Sequence, residues 1–155
     1  TGIPVFEWLE DDQAELKYTW EGKWVKNDGS NEHRYYEQTS CSEGLNVFCN
    51  AWQYYLYISA DWENMTKPCI KAYLEDNTLS KDSSIQIEYI DYVDGVPDNS
   101  GDKHNNPMVI QADRQWAGKC IVLDRDALLE NDALYLSFGN GVTVTKIEIY
   151  DQAVQ

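Results

Sequence analysis

Basic residues are scarce in this chain: 12 Lys and Arg stand against 27 Asp and Glu, a formal net charge of −15 over 155 residues. A surface of that sign repels phosphate backbones and anionic lipid, which makes nucleic acid and membrane poor partners. Histidine is scarcer still, with His33 and His104 alone, and the four cysteines, Cys41, Cys49, Cys69 and Cys120, form no C-x-x-C pair. A zinc centre therefore lacks a ligand set. No G-x-S-x-G, phosphate loop or dinucleotide fingerprint occurs, and both histidines sit in polar stretches, so nucleophilic triad chemistry has no anchor. Long apolar runs are also missing: none approaches the ~18 residues that a membrane-spanning helix needs. The chain opens TGIPVFEW with neither an initiator Met nor a secretory signal, which reads as a module excised from a larger enzyme.

What is present is aromatic and short-period. Six Trp and 11 Tyr accompany a 43% hydrophobic content, far from the composition of a disordered acidic tail. A length of 155 residues fits one domain, 1–155, with room for a real core. Period-two alternation dominates, punctuated by EDDQ, NDGSN, SEG, DNTLSKDSS, VDGVPDNSGDKHNNP and GNG. Candidate strands fall at about 4–9, 15–20, 45–49, 52–59, 69–74, 85–92, 108–112, 119–123, 133–138 and 142–150, with a surface loop over 93–107. So many short strands need two packed sheets, because one open sheet would leave an apolar face in water. The expected fold is all-β, a β-sandwich of jelly-roll type with two antiparallel sheets. DRDALLEND, 124–132, reads as a helical turn linking strands, since it is too short for an independent helix. A Cys41–Cys49 disulfide and partly buried free thiols both remain open.

The stretch NAWQYYLYISADW, 50–62, carries five rings in thirteen residues. As a strand it divides into Trp52, Tyr54, Leu56 and Ile58 on a core face and Gln53, Tyr55, Tyr57, Ser59 and Asp61 on the other. The second set mixes rings with an amide, a hydroxyl and a carboxylate, which suits a pyranose: rings stack on its apolar CH face and polar groups meet its hydroxyls. SIQIEYIDY repeats the division, with Ile85, Ile87 and Tyr89 inward and Gln86 and Glu88 outward, and MVIQADRQW adds Gln111 and Trp116. Trp24 in EGKWVKND and Trp62 in SADWENM sit among polar neighbours, where an exposed ring is costly without a use, and join the candidate ligand set. Trp8, Trp20 and Trp52 are expected in the core.

The segment QWAGKCIVLDRDALLENDALYLSFGNGVTVTKIEIYD resembles the closing half of bacterial β-jelly-roll carbohydrate-binding modules attached to plant-cell-wall hydrolases, and GIPVFEW resembles their first strand. The likeness covers about a third of the chain; its final strand pattern is carried by Val142, Val144, Ile147, Ile149 and Tyr150. It implies a secreted, monomeric, non-catalytic module, cell-surface or cellulosome-attached, that binds a β-1,4-linked glucan, xyloglucan or xylan. An attached hydrolase would thereby be held at its substrate. By the same likeness Gln53, Tyr55, Tyr57, Trp62, Gln86, Glu88 and Gln111 match the sugar-binding residue types. No cofactor is required by this reading; the resemblance also implies a structural calcium, for which Glu7, Glu10 and Asp151 could serve, although no D-x-D-x-D-G loop is present. Two rivals stay open. One is a small two-carboxylate glycoside hydrolase, with Glu88 the best acid but no facing carboxylate to name; the other is a protein-interaction module using the same rings as anchors. With no cationic partner evident, neutral glycans are expected to bind better than polygalacturonate.

Overall fold

The computed structural model describes residues 8–9, 14–25, 35–49, 56–75, 84–90, 92–93, 96–97, 108–111, 120–131, 133–138 and 142–152. Its strands are β1 (Trp8–Leu9), β2 (Glu15–Val25), β3 (Tyr35–Cys41), β4 (Asn46–Cys49), β5 (Leu56–Ser59), β6 (Pro68–Leu74) and β7 (Ser84–Ile90). After them come β8 (Tyr92–Val93), β9 (Val96–Pro97), β10 (Met108–Gln111), β11 (Cys120–Val122), β12 (Ala133–Phe138) and β13 (Thr143–Asp151), with one short helix, α1 (Arg125–Glu130). A six-stranded sheet runs β1-β11-β6-β13-β2-β3 and a five-stranded sheet β10-β7-β12-β5-β4, while β8 and β9 pair with each other. All of these pairings are antiparallel.

One buried cluster joins the sheets. Trp20, Trp24, Ile70, Ala72, Val144, Ile147 and Ile149 come from the six-stranded sheet, and Leu56, Ile58, Ile87, Leu134 and Leu136 from the other. Leu56 and Ile58 on β5, Leu134 and Leu136 on β12, and Ile147 and Ile149 on β13 lie two apart, as residues sharing one face of a strand must, while Val144 precedes Ile147 by three across the register shift between Val144 and Lys146. At about 25 cal/mol per Å² of buried apolar surface, this shared interior is the dominant stabilising term. The all-β, two-sheet expectation holds, and Trp20, Leu56, Ile58 and Ile87 are core as anticipated. Trp52 and Tyr54 lie outside the described residues.

The departures have local causes. β3 was not expected as a strand, because YYEQTSC has no apolar alternation; it is an edge strand with mostly exposed residues, and an edge tolerates that. β2 continues to Val25 through a register shift between Glu21 and Gly22. A side chain at 22 would place its Cβ 2.1 Å from the Glu37 carbonyl oxygen and 2.8 Å from the Trp20 ring, so this bulge requires glycine. The expected loop over 93–107 contains part of a small hairpin, since Tyr92 pairs with Pro97 and Val93 with Val96. The anticipated helical turn is α1, six residues long, with the Asp124 carboxylate accepting the Ala127 N–H at 3.2 Å.

Between β5 and β6 the chain makes a short 3-10 turn, Trp62–Asn64, pinned from two sides. The Asp151 carboxylate accepts the N–H of Lys67 at 2.7 Å and of Thr66 at 2.9 Å, and Arg125 donates Nε–H to the Met65 carbonyl at 2.6 Å and Nη2–H to the Glu63 carbonyl at 3.1 Å. These charge-assisted bonds hold a turn whose buried anchors are Trp62 and Met65.

Candidate functional site: the alternate face of the five-stranded sheet

The register of the five-stranded sheet assembles a row that no single strand contains. Phe48 of β4 pairs with Tyr57 of β5, Tyr57 with Tyr135 of β12, and Tyr135 with Glu88 of β7. This row is offset by one residue from the buried row Leu56, Leu136 and Ile87. Gln86 pairs with Ser137 and Val109, and Gln111 with Ser84, so Gln86 and Gln111 occupy the same alternate positions of β7 and β10. Tyr57, Gln86, Glu88 and Gln111, four of the residues expected together on one face, are thus brought to that face by the backbone pairing. Gln53, Tyr55 and Trp116 lie outside the described residues.

Exposure within the row is uneven. Phe48 is 43% exposed, whereas Tyr57 is only 1% exposed, and their ring centroids lie 5.9 Å apart at 50°. Such a tilted pair is a favoured aromatic geometry. Of these two rings Phe48 therefore has surface to offer, and Tyr57 stands behind it. Phe48 escaped the sequence reading, although N-V-F-C alternates as clearly as the neighbouring strand: Val47 and Cys49 pack on the core and Asn46 and Phe48 do not.

Trp24 and Trp62 do not join the face. Trp24 is 0% and Trp62 4% exposed, and both belong to the central cluster. The premise that a ring among polar neighbours is exposed fails for different reasons. On β2 alternation buries Trp24 between Lys23 and Val25, pairing it with Val144 and Tyr36; at position 62 the turn folds the indole inward while Glu63 and Asn64 remain outside.

The six-stranded sheet carries a second polar and aromatic group on its alternate positions. Lys146 pairs with Tyr73 and Glu148 with Lys71 across β13 and β6. Glu148, 5% exposed, accepts Oη–H bonds from Tyr73 at 2.5 Å and Tyr150 at 3.0 Å on Oε1, and its Oε2 lies 3.4 Å from Lys146 Nζ. The ammonium groups of Lys71 and Lys146 each stand 5.3 Å from the Tyr73 ring centroid. Burial pushes the Glu148 carboxyl up, but the two phenol donors and Lys146 together outweigh it and hold the group below its ordinary value. A general acid needs the opposite shift.

Elsewhere burial raises Cys49 to about 12 and Tyr89 to about 12; the Tyr89 hydroxyl accepts the Asp124 N–H at 2.8 Å. All four cysteines are free thiols, so Cys41 and Cys49 are not bridged; Cys41 Sγ–H instead donates to the Leu45 carbonyl at 3.2 Å. Among the described residues no three His, Cys, Asp or Glu side chains gather as a metal site. Asp151, a calcium candidate by resemblance, spends its carboxylate on the Thr66 and Lys67 amides, while Glu7 and Glu10 lie outside the described residues.

No protein-family model, curated protein or solved structure matches this chain.

Proposed function

We propose that this protein is a non-catalytic glycan-binding module of jelly-roll type whose ligand lies along the five-stranded sheet. The observation that carries the reading is the register row Phe48, Tyr57, Tyr135 and Glu88, with Gln86 and Gln111 in adjoining rows. It sets the exposed Phe48 ring, backed by the buried Tyr57, on the same face as amide and carboxylate residue types, the combination that meets both the apolar and the hydroxyl surfaces of a sugar. The chain also passes repeatedly from one sheet to the other, from β3 to β4, β5 to β6, β6 to β7 and β10 through β13, as jelly-roll topology requires. The ligand class is a neutral β-1,4-linked plant-cell-wall glucan, xyloglucan or xylan, bound outside the cell for the benefit of an attached hydrolase. Stacking of a few sugars, offset by desolvation and ordering of the glycan, leaves binding of about −6 to −8 kcal/mol.

Affinity electrophoresis against hydroxyethylcellulose, xyloglucan, xylan, mannan and polygalacturonate tests this. Retardation by at least one neutral glycan, with no release of reducing ends, is the expected result. Accumulating reducing ends would make the protein a hydrolase. Failure of every polysaccharide to retard it would leave the aromatic row to a protein partner, and salt-sensitive retardation by polygalacturonate alone would reverse the assignment of ligand charge.

A further inference from the structure

Among the described residues two aromatic rings stand exposed, Tyr35 on β3 and Phe48 on β4. Their polar surroundings differ. The Tyr35 hydroxyl donates to the Glu37 carboxylate beside it, so the polar groups flanking that ring already satisfy each other. Phe48 has Asn46 two residues before it on the same strand, and Asn46 pairs with Ser59 of β5. These three occupy the alternate positions of the sheet, on the side away from Val47 and Cys49, which pack on the core. Asn46 is exposed and Ser59 partly buried. Among the described residues neither the Asn46 amide nor the Ser59 hydroxyl makes a hydrogen bond.

The spacing fits one sugar. Residues two apart on a strand stand about 6.8 Å apart, and directly paired residues hold their Cβ atoms about 4.5–5.5 Å apart, so ring, amide and hydroxyl bound a patch the size of a single pyranose. The ring offers the apolar surface on which a sugar stacks. The amide and the hydroxyl each both donate and accept, as vicinal hydroxyls on the rim of a stacked sugar require. Because neither group has a bond within the fold to give up, its bonds to a ligand displace only water. Tyr57, fully buried with its centroid 5.9 Å from that of Phe48, backs the platform. The described residues of β4, β5 and the turns that flank them include the exposed Glu43, Asp61 and Glu63 and no Lys or Arg, which leaves an acidic sugar without a counter-ion.

We propose that Asn46 and Ser59 are the hydrogen-bonding residues of a one-sugar subsite whose platform is Phe48, taking an uncharged pyranose at the β4–β5 end of the five-stranded sheet; this rests on the glycan-binding reading above. Affinity electrophoresis in gels of hydroxyethylcellulose, xyloglucan and xylan tests it on wild type, Asn46→Ala, Ser59→Ala, Phe48→Ala and the double variant Asn46→Ala/Phe48→Ala, with thermal melting run beside it. Asn46→Ala and Ser59→Ala should each weaken retention by about three- to ten-fold, the loss of one neutral hydrogen bond, at unchanged melting temperature. The double variant should lose less than the product of the two single losses, because a sugar no longer stacked on Phe48 is not presented to the amide. If either Asn46→Ala or Ser59→Ala is retarded as strongly as wild type while the gels still retain wild type, the subsite is refuted and the sheet-face reading stands. Strictly multiplicative losses would set the amide and the ring on different sugars and overturn the subsite as well. If no gel retards wild type, the glycan-binding reading has failed and the subsite falls with it.

Discussion

The alternate faces of the two sheets use similar residue types to different ends. On the six-stranded sheet, Tyr73, Tyr150, Lys146 and Glu148 meet one another within hydrogen-bonding or ion-pair reach, so most of their polar capacity is consumed inside the protein. On the five-stranded sheet the described rings pair face to neighbour, and Phe48 keeps 43% of its surface in water. A polar group already satisfied by its neighbours gains little from a ligand, because binding would exchange one set of good bonds for another. An exposed ring loses only water when a sugar stacks on it. The contrast marks the polar group of the six-stranded sheet as structural and Phe48 of the five-stranded sheet as a ring with surface to offer, although composition alone would have favoured neither.

The largest effect should come from the buried partner in the aromatic row. Tyr57→Ala is expected to cost ~3–5 kcal/mol of folding stability, the range for losing a large core ring. Urea unfolding measures it. A stable variant that has lost glycan binding would break the comparison, because Tyr57 would then be a ligand ring and not the support for Phe48.

Next comes Glu148→Ala, which strips the acceptor from two phenols and one ammonium. A loss of about 1.5–3 kcal/mol is expected, as for hydrogen bonds to a charged group, with unaltered retardation in polysaccharide gels. Weakened glycan retention at unchanged stability would move the site to the six-stranded sheet.

Phe48→Ala should do the reverse of Glu148→Ala. Binding to the best polysaccharide is expected to weaken by ~1–3 kcal/mol, the cost of removing an aromatic platform, while the unfolding midpoint changes little because the ring is already half in water.

The smallest effect belongs to Tyr73→Phe, which removes one of the donors that depress Glu148 and should cost about 0.5–1.5 kcal/mol at neutral pH. Its sign with pH is fixed by linkage. A carboxyl held below its unfolded value of 4.5 contributes stability that is full above that value and is lost as pH falls through the folded one. The gap between wild type and Tyr73→Phe should therefore close on acidification below about 4.5. A gap that stays constant to the lowest pH at which both fold would show that the phenol acts by packing and not through the carboxylate.

Much of the fold was legible because strand alternation is a local property. Leu56 and Ile58, Leu134 and Leu136, Ile147 and Ile149 announce a buried face from spacing alone, since side chains two apart on a strand share a side. The strand at 35–41 was not legible, because an edge strand has little apolar burial to record in its sequence. At the site, alternation correctly grouped Tyr57 with Gln86, Glu88 and Gln111, but it could not rank their exposure: Tyr57 and Phe48 obey the same rule, and one is covered.

By itself the sequence determined the sign of the surface, the all-β class and which residues of each strand travel together, all consequences of composition and of a period of two. The tertiary structure alone decided which strands are neighbours, and hence that Phe48 and Tyr57 of two consecutive strands share one row with Glu88 and Tyr135 of two strands remote from them in sequence. It also decided that Trp24 and Trp62 are core and that Glu148 is shared by Tyr73 and Tyr150. Exposure and hydrogen-bond partnership are pairwise properties of segments brought together by folding, and no local pattern encodes the far member of the pair.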